Sequence, residues 1–168
     1  MRFKKHVLLI TIMFISACSS DSIDSFAVST NIDISLKDTN NTDLLNPANE
    51  NSINSRDIKV YQEIDGKKME AIEINRIYME KGHFILQYPQ DFFIFQNENE
   101  YRIRVFLQSN PAPGEYGATY INWGGIAEDT IKYKLIRTES SLTASETQYN
   151  DFVLPVNVAR TFNKILNK

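Results

Sequence analysis

A chain of 168 residues with 18 basic and 21 acidic side chains carries a formal charge of −3, and beyond residue 17 its basic concentrations, Lys67-Lys68 and the interrupted Lys132/Lys134, form no extended cationic stripe. That balance argues against nucleic acid as a partner, because phosphate binding needs clustered Lys and Arg. A single cysteine excludes an intrachain disulfide, so stability has to come from packing.

The amino terminus opens with Arg2, Lys4 and Lys5, then an almost wholly apolar run over 7–15, then the small residues Ser16 and Ala17. This is the layout of a secretory signal. Nine residues are too few to span a hydrocarbon layer, which takes about 20. Ile15-Ser16-Ala17-Cys18 resembles the lipobox of bacterial lipoproteins. The resemblance implies that the Cys18 thiol receives a diacylglyceryl group, that the signal is cut before it, and that the new amino terminus is acylated. Two or more acyl chains give durable attachment, since each buried CH₂ contributes about 0.8 kcal/mol.

The expected organisation is therefore a signal peptide over 1–17, a lipidated tether over 18–26 and one domain over 27–168. Without residues 1–17, which hold three basic side chains and no acid, 15 basic residues face 21 acidic ones, a formal charge near −6. Ser19 follows the cysteine where, by resemblance to the enterobacterial sorting rule, an Asp would favour the inner membrane; the expected location is the outer membrane. Ser20-Asp21-Ser22-Ile23-Asp24 loosely resembles the acidic tracts that send Bacteroidota-type lipoproteins to the cell surface, and it equally fits a solvated tether. Periplasmic face and cell surface both stay open.

From 25 to 36 the apolar residues alternate, with Val28, Ile32, Ile34 and Leu36 in phase, the period of a half-buried strand. Asp38-Thr39-Asn40-Asn41-Thr42-Asp43 breaks it with residues that bond their own backbone. Ile58, Val60 and Ile64 resume the alternation, Asp65-Gly66 is a two-residue hairpin signal, and 67–74 is the returning strand. Further strands are expected over 83–88, 101–107, 118–123, 131–135 and 146–154, with a turn inside the last at Tyr149-Asn150-Asp151-Phe152, while the aromatic run 92–95 fits either a strand or a loop plug. Val158, Phe162, Ile165 and Leu166 follow the spacing of one helical face, which predicts a short C-terminal helix beginning near Pro155. Seven to nine short strands separated by Gly, Pro, Asn and Asp predict an all-β fold, an antiparallel β-sandwich, immunoglobulin-like or similar. An open barrel is the alternative.

Leu36-Lys37-Asp38-Thr39-Asn40-Asn41-Thr42-Asp43-Leu44-Leu45-Asn46-Pro47, then Ile58-Lys59-Val60-Tyr61 before Asp65-Gly66-Lys67, and later Tyr120-Ile121-Asn122-Trp123 leading to Asp129-Thr130-Ile131, look like a set of small Bacteroidota-type outer-membrane lipoproteins without assigned function. A glycine is usual in that set where Asn41 stands; Asn also reaches left-handed conformations, so the turn can survive. The resemblance implies location and sandwich architecture, and it supplies no catalytic residues.

Asp38, Asn40 and Asp43 are weak metal candidates: their oxygens are spaced loosely like a calcium loop, but the later Glu and central Gly are not at the required offsets. A turn held by side-chain bonds to the backbone is the favoured reading, and no cofactor is implied. His83, the only histidine after residue 17, cannot build a multi-histidine metal site, and no Gly-x-Ser-x-Gly elbow accompanies it. The carboxylate pairs Glu98/Glu100 and Glu128/Asp129 could serve a glycosidase only across a cleft that sequence does not reveal, and solvated loop acids are the favoured reading.

Phe92, Phe93, Phe95, Tyr101, Tyr116, Tyr120 and Trp123 form the most informative aromatic set. Tyr101 and most Phe residues suit a core. Tyr116 and Trp123, beside Gly-rich loops, are the candidate ligand-facing rings. The expected function is a non-enzymatic, membrane-anchored binding or structural module whose partners are envelope proteins or glycans. The alternatives are a small envelope-polymer hydrolase using a carboxylate pair and an inhibitor or immunity lipoprotein.

Overall fold

The computed structural model describes residues 27–70, 73, 91–107, 114–154 and 161–166. The lipobox, the tether, His83 and the strand expected over 83–88 lie outside the described residues. The described chain is an all-β sandwich. The first sheet has seven strands: β1 (Ala27–Ser29), β9 (Ser141–Tyr149), β8 (Glu128–Arg137), β7 (Gly117–Trp123), β3 (Ile58–Ile64) and β4 (Lys67–Glu70) in that order, with β10 (Phe152–Val153) also on β9. The second has four: β11 (Thr161–Leu166), β2 (Asn31–Asp38), β6 (Glu100–Phe106) and β5 (Phe92–Asn97).

All pairings are antiparallel except β1 with β9 and β11 with β2. The single alternating stretch expected from 25 to 36 divides at Thr30, where the chain leaves the first sheet and enters the second. One hydrophobic cluster joins the sheets: Ile32, Ile34 and Leu36 with Ile103 and Val105 from one, and Ile58, Val60, Ile121, Ile131 and Tyr133 from the other. Alternation works because successive strand side chains point to opposite faces.

Turn chemistry sets the register. Asp65 and Gly66 both have positive φ, 51° and 71°, which the tight β3–β4 hairpin requires. Asn41, at φ 65°, holds the left-handed position in the loop after β2, as the sequence anticipates. Pairing of β8 with β9 slips between Lys132 and Lys134, and Glu146, at φ 44°, occupies this bulge.

One inward position is polar. Gln62, fully buried in phase with Ile58 and Val60, donates from Nε2 to Asp91 Oδ2 (3.0 Å) and to the Phe106 carbonyl (2.9 Å), and accepts from Thr119 Oγ1 (2.6 Å). This network bonds the two sheets through the core, and each partner would be costly to bury alone.

Two expectations are corrected. The strand expected over 146–154 is two: β9 starts at Ser141 and ends at Tyr149, and after the anticipated turn β10 folds back on it. The C-terminal helix is absent from the described residues: Thr161–Leu166 is strand β11, parallel to β2. Its inward residues are Phe162, Lys164 and Leu166, period two, with a lysine in the middle. That charge hid the strand pattern, while Ile165, 63% exposed, supplied a false helical repeat.

Candidate functional site

Trp123 is not ligand-facing. It is fully buried at the end of β7, and its Nε1 donates to Asp129 Oδ2 at 2.7 Å. The same oxygen accepts from Tyr149 Oη (2.6 Å), while Oδ1 accepts from Asn150 Nδ2 (2.8 Å) and Lys164 Nζ (2.9 Å). Burial pushes the Asp129 carboxyl up, but these four donors outweigh it and hold the group below its ordinary value. Burial first, and then the bond to Asp129, pushes the Tyr149 phenol upward. The ring of Tyr149 stacks on Phe162 at 4.0 Å between centroids.

Glu128 and Asp129 take opposite faces of β8. Asp129 points into the core, whereas its neighbour Glu128 faces out and pairs with Lys68. Glu98 sits in the β5–β6 turn at φ 53°, and Glu100 is bonded to Arg102 (2.7 Å) and lies 3.5 Å from Lys37.

Asp38, Asn40 and Asp43 do meet in one loop, as a turn. Asp38 Oδ1 accepts from the amides of Asn40 (2.9 Å) and Thr42 (2.8 Å), and the Thr42 bond is the main cause that lowers its pKa. Asp43 accepts from the Leu45 amide (2.9 Å) with one oxygen and the Tyr101 amide (2.7 Å) with the other. Among the described residues no three His, Cys, Asp or Glu side chains converge as a metal site would need.

The second sheet packs Phe92, Ile94 and Tyr101 toward the core. Phe93 and Phe95 are corrected from core to the outer face, where both rings pack around Arg104, itself bidentate to Asp33 at 2.7 and 2.8 Å. An open cleft of about 430 Å³ lies beside this sheet, lined by Leu45, Pro47, Ser52, Ile53, Asn54, Ser55, Ile94 and Tyr101.

The outer face of the first sheet carries the tyrosines. Tyr116, 44% exposed, donates to Glu146 Oε2 (2.8 Å), and Lys134 pairs with the same oxygen (2.8 Å) while lying 4.7 Å from the Tyr116 ring centroid. The bulge in β9 aims Glu146 outward to make this contact. Toward the other edge, Tyr61 on β3 faces Tyr120 on β7 directly across the strands. Lys68 from β4 places Nζ 4.7 Å from the Tyr61 centroid and 4.8 Å from that of Tyr120. Tyr120 Oη donates to Glu63 Oε2 at 2.7 Å; that bond above all pushes its pKa up to about 12. Lys59 and Glu70 pair at 2.6 Å on the same face.

Tyr116 is therefore exposed as the sequence suggests, but Tyr61 and Lys68 were missed. Alternation alone places Lys59, Tyr61 and Glu63 opposite Ile58, Val60 and Gln62. The strand register that brings Tyr61 to Tyr120 has no such signal. Compared with protein-family models, with curated proteins and with solved structures, the chain matches none.

Proposed function

We propose that the chain is a lipid-anchored module of the outer membrane that binds or scaffolds envelope components and does not catalyse. The observation that carries the reading is Cys18, the sole cysteine, closing Ile15-Ser16-Ala17-Cys18 ahead of a β domain that begins at Ala27. The eight intervening residues span at most about 29 Å, so the sandwich works close to the bilayer. The likeness of several segments to small Bacteroidota-type lipoproteins supports the same address.

The carboxylates support binding over hydrolysis. A general acid of a glycosidase needs a raised pKa in a cleft. Asp129 is buried, bonded four times and held low, and Glu100 and Glu128 are ion-paired.

Metabolic labelling with radioactive palmitate tests the anchor: the wild type carries label and sediments with membranes, and Cys18→Ala does neither. Equal labelling of the two would overturn the reading. Crosslinking in the native envelope, followed by capture and mass spectrometry, tests the binding role; recovery of the protein alone removes it.

A further inference from the structure

We infer that the outer face of the first sheet, centred on Tyr61 and Tyr120, is a binding site for a neutral glycan. The inference rests on the binding-module reading and names the class of ligand. Tyr61 and Tyr120 are cross-strand partners, which sets their side chains about 5 Å apart at the base. Both rings turn a face toward one point above the sheet, because the Lys68 ammonium lies within 4.8 Å of each centroid. A tyrosine face is electron-rich. The C–H face of a pyranose is flat, apolar and faintly positive, so it suits the place that the ammonium now fills.

Polar groups surround the rings. Glu63 and Glu128 are acceptors, Lys59 is a donor, and Asn122 and Thr130 stand on the same outward rows of β7 and β8. Sugar hydroxyls need both kinds at the rim of a stacking surface.

Charge selects the partner. The outward positions of this sheet hold Lys59, Lys68, Lys132 and Lys134 against Glu63, Glu70, Glu128 and Glu146, a balanced set in a chain of net −3. Polyanions and anionic lipid surfaces recruit an excess of Lys and Arg. Cores of protein interfaces are depleted in Lys and Glu. An uncharged, hydroxyl-rich polymer meets neither objection. Lys68 swings aside to admit it, giving up an exposed ion pair and its contacts with the two rings, each a weak interaction at an exposed site.

The test uses the full chain in detergent micelles on an array of neutral, amino-sugar and acidic oligosaccharides, then calorimetric titration with cellohexaose, laminarihexaose and maltohexaose. At least one neutral hexasaccharide binds; Tyr61→Ala and Tyr120→Ala each weaken it tenfold or more; Tyr61→Phe stays within threefold; and Lys68→Ala, which clears the ring faces, binds more tightly. Circular dichroism confirms that each variant is folded, and the Phe variant reports on the site if an Ala variant is not. Failure of all neutral probes, preference for acidic ones, or binding indifferent to both tyrosines would overturn the inference. A chain that captures an envelope protein but no neutral glycan sinks this inference alone. Neutral-glycan binding together with equal palmitate labelling of the wild type and Cys18→Ala sinks the anchor and leaves this inference standing.

Discussion

Lys164 Nζ lies 2.9 Å from Asp129 Oδ1, an ion pair that joins the last strand of the second sheet to β8 of the first. Asp129 is 2% exposed, so its charge is tolerated only because four donors surround it. Asp129→Ala strands the Lys164 ammonium and leaves the Trp123, Tyr149 and Asn150 donors without this acceptor, and it should cost about 3–5 kcal/mol. Lys164→Met keeps three of the donors in place and should cost roughly 1–3 kcal/mol. Urea unfolding of the two variants checks the order; equal losses would mean that the carboxylate depends on Lys164 alone.

Acid should act through the same group. A carboxylate whose folded pKa lies below its unfolded value stabilises the fold above that value, and the contribution is lost as pH falls through the folded pKa. Asp129 is such a case, lowered from 3.8. The stability gap between wild type and Asp129→Asn should stay constant from about pH 5 to 8 and narrow below about pH 4. Thermal melts across that range measure it, and a gap that widens in acid contradicts the assignment.

Trp123, the only tryptophan, reports directly on its own burial. Its emission should be blue-shifted, resist iodide quenching in the native state, and become quenchable on unfolding. Ready quenching of the folded protein would put the indole back at the surface.

Gln62 binds both sheets through the core. Gln62→Leu fills similar volume yet leaves Thr119 and the Phe106 carbonyl without this partner and removes a donor from Asp91, so it should destabilise by about 2–4 kcal/mol. Chemical denaturation decides; a neutral or stabilised variant would show the network to be dispensable.

Asn41 holds a left-handed backbone at φ 65°. Asn41→Gly should lie within about 0.5 kcal/mol of the wild type, while the β-branched Asn41→Val should lose about 1–2 kcal/mol. Melting temperatures of the pair test the turn, and equal values would remove the strain argument.

Local chemistry was legible in the chain. The hairpin at Asp65-Gly66, the turn after β2 and the inward rows Ile32/Ile34/Leu36 and Ile103/Val105 follow from residue type and a period of two, because each depends on neighbours a few positions away. What residues far apart do to one another was decided only by the fold. A lysine at an inward position spoils the apolar pattern of β11 unless Asp129, 35 residues earlier, is known to receive it. Trp123 beside Gly124-Gly125 looks exposed until the same carboxylate is seen to accept its indole N–H. Tyr61 and Tyr120 become one surface only through a strand register set by the whole sheet, since alternation tells which face a side chain takes and not which partner stands opposite.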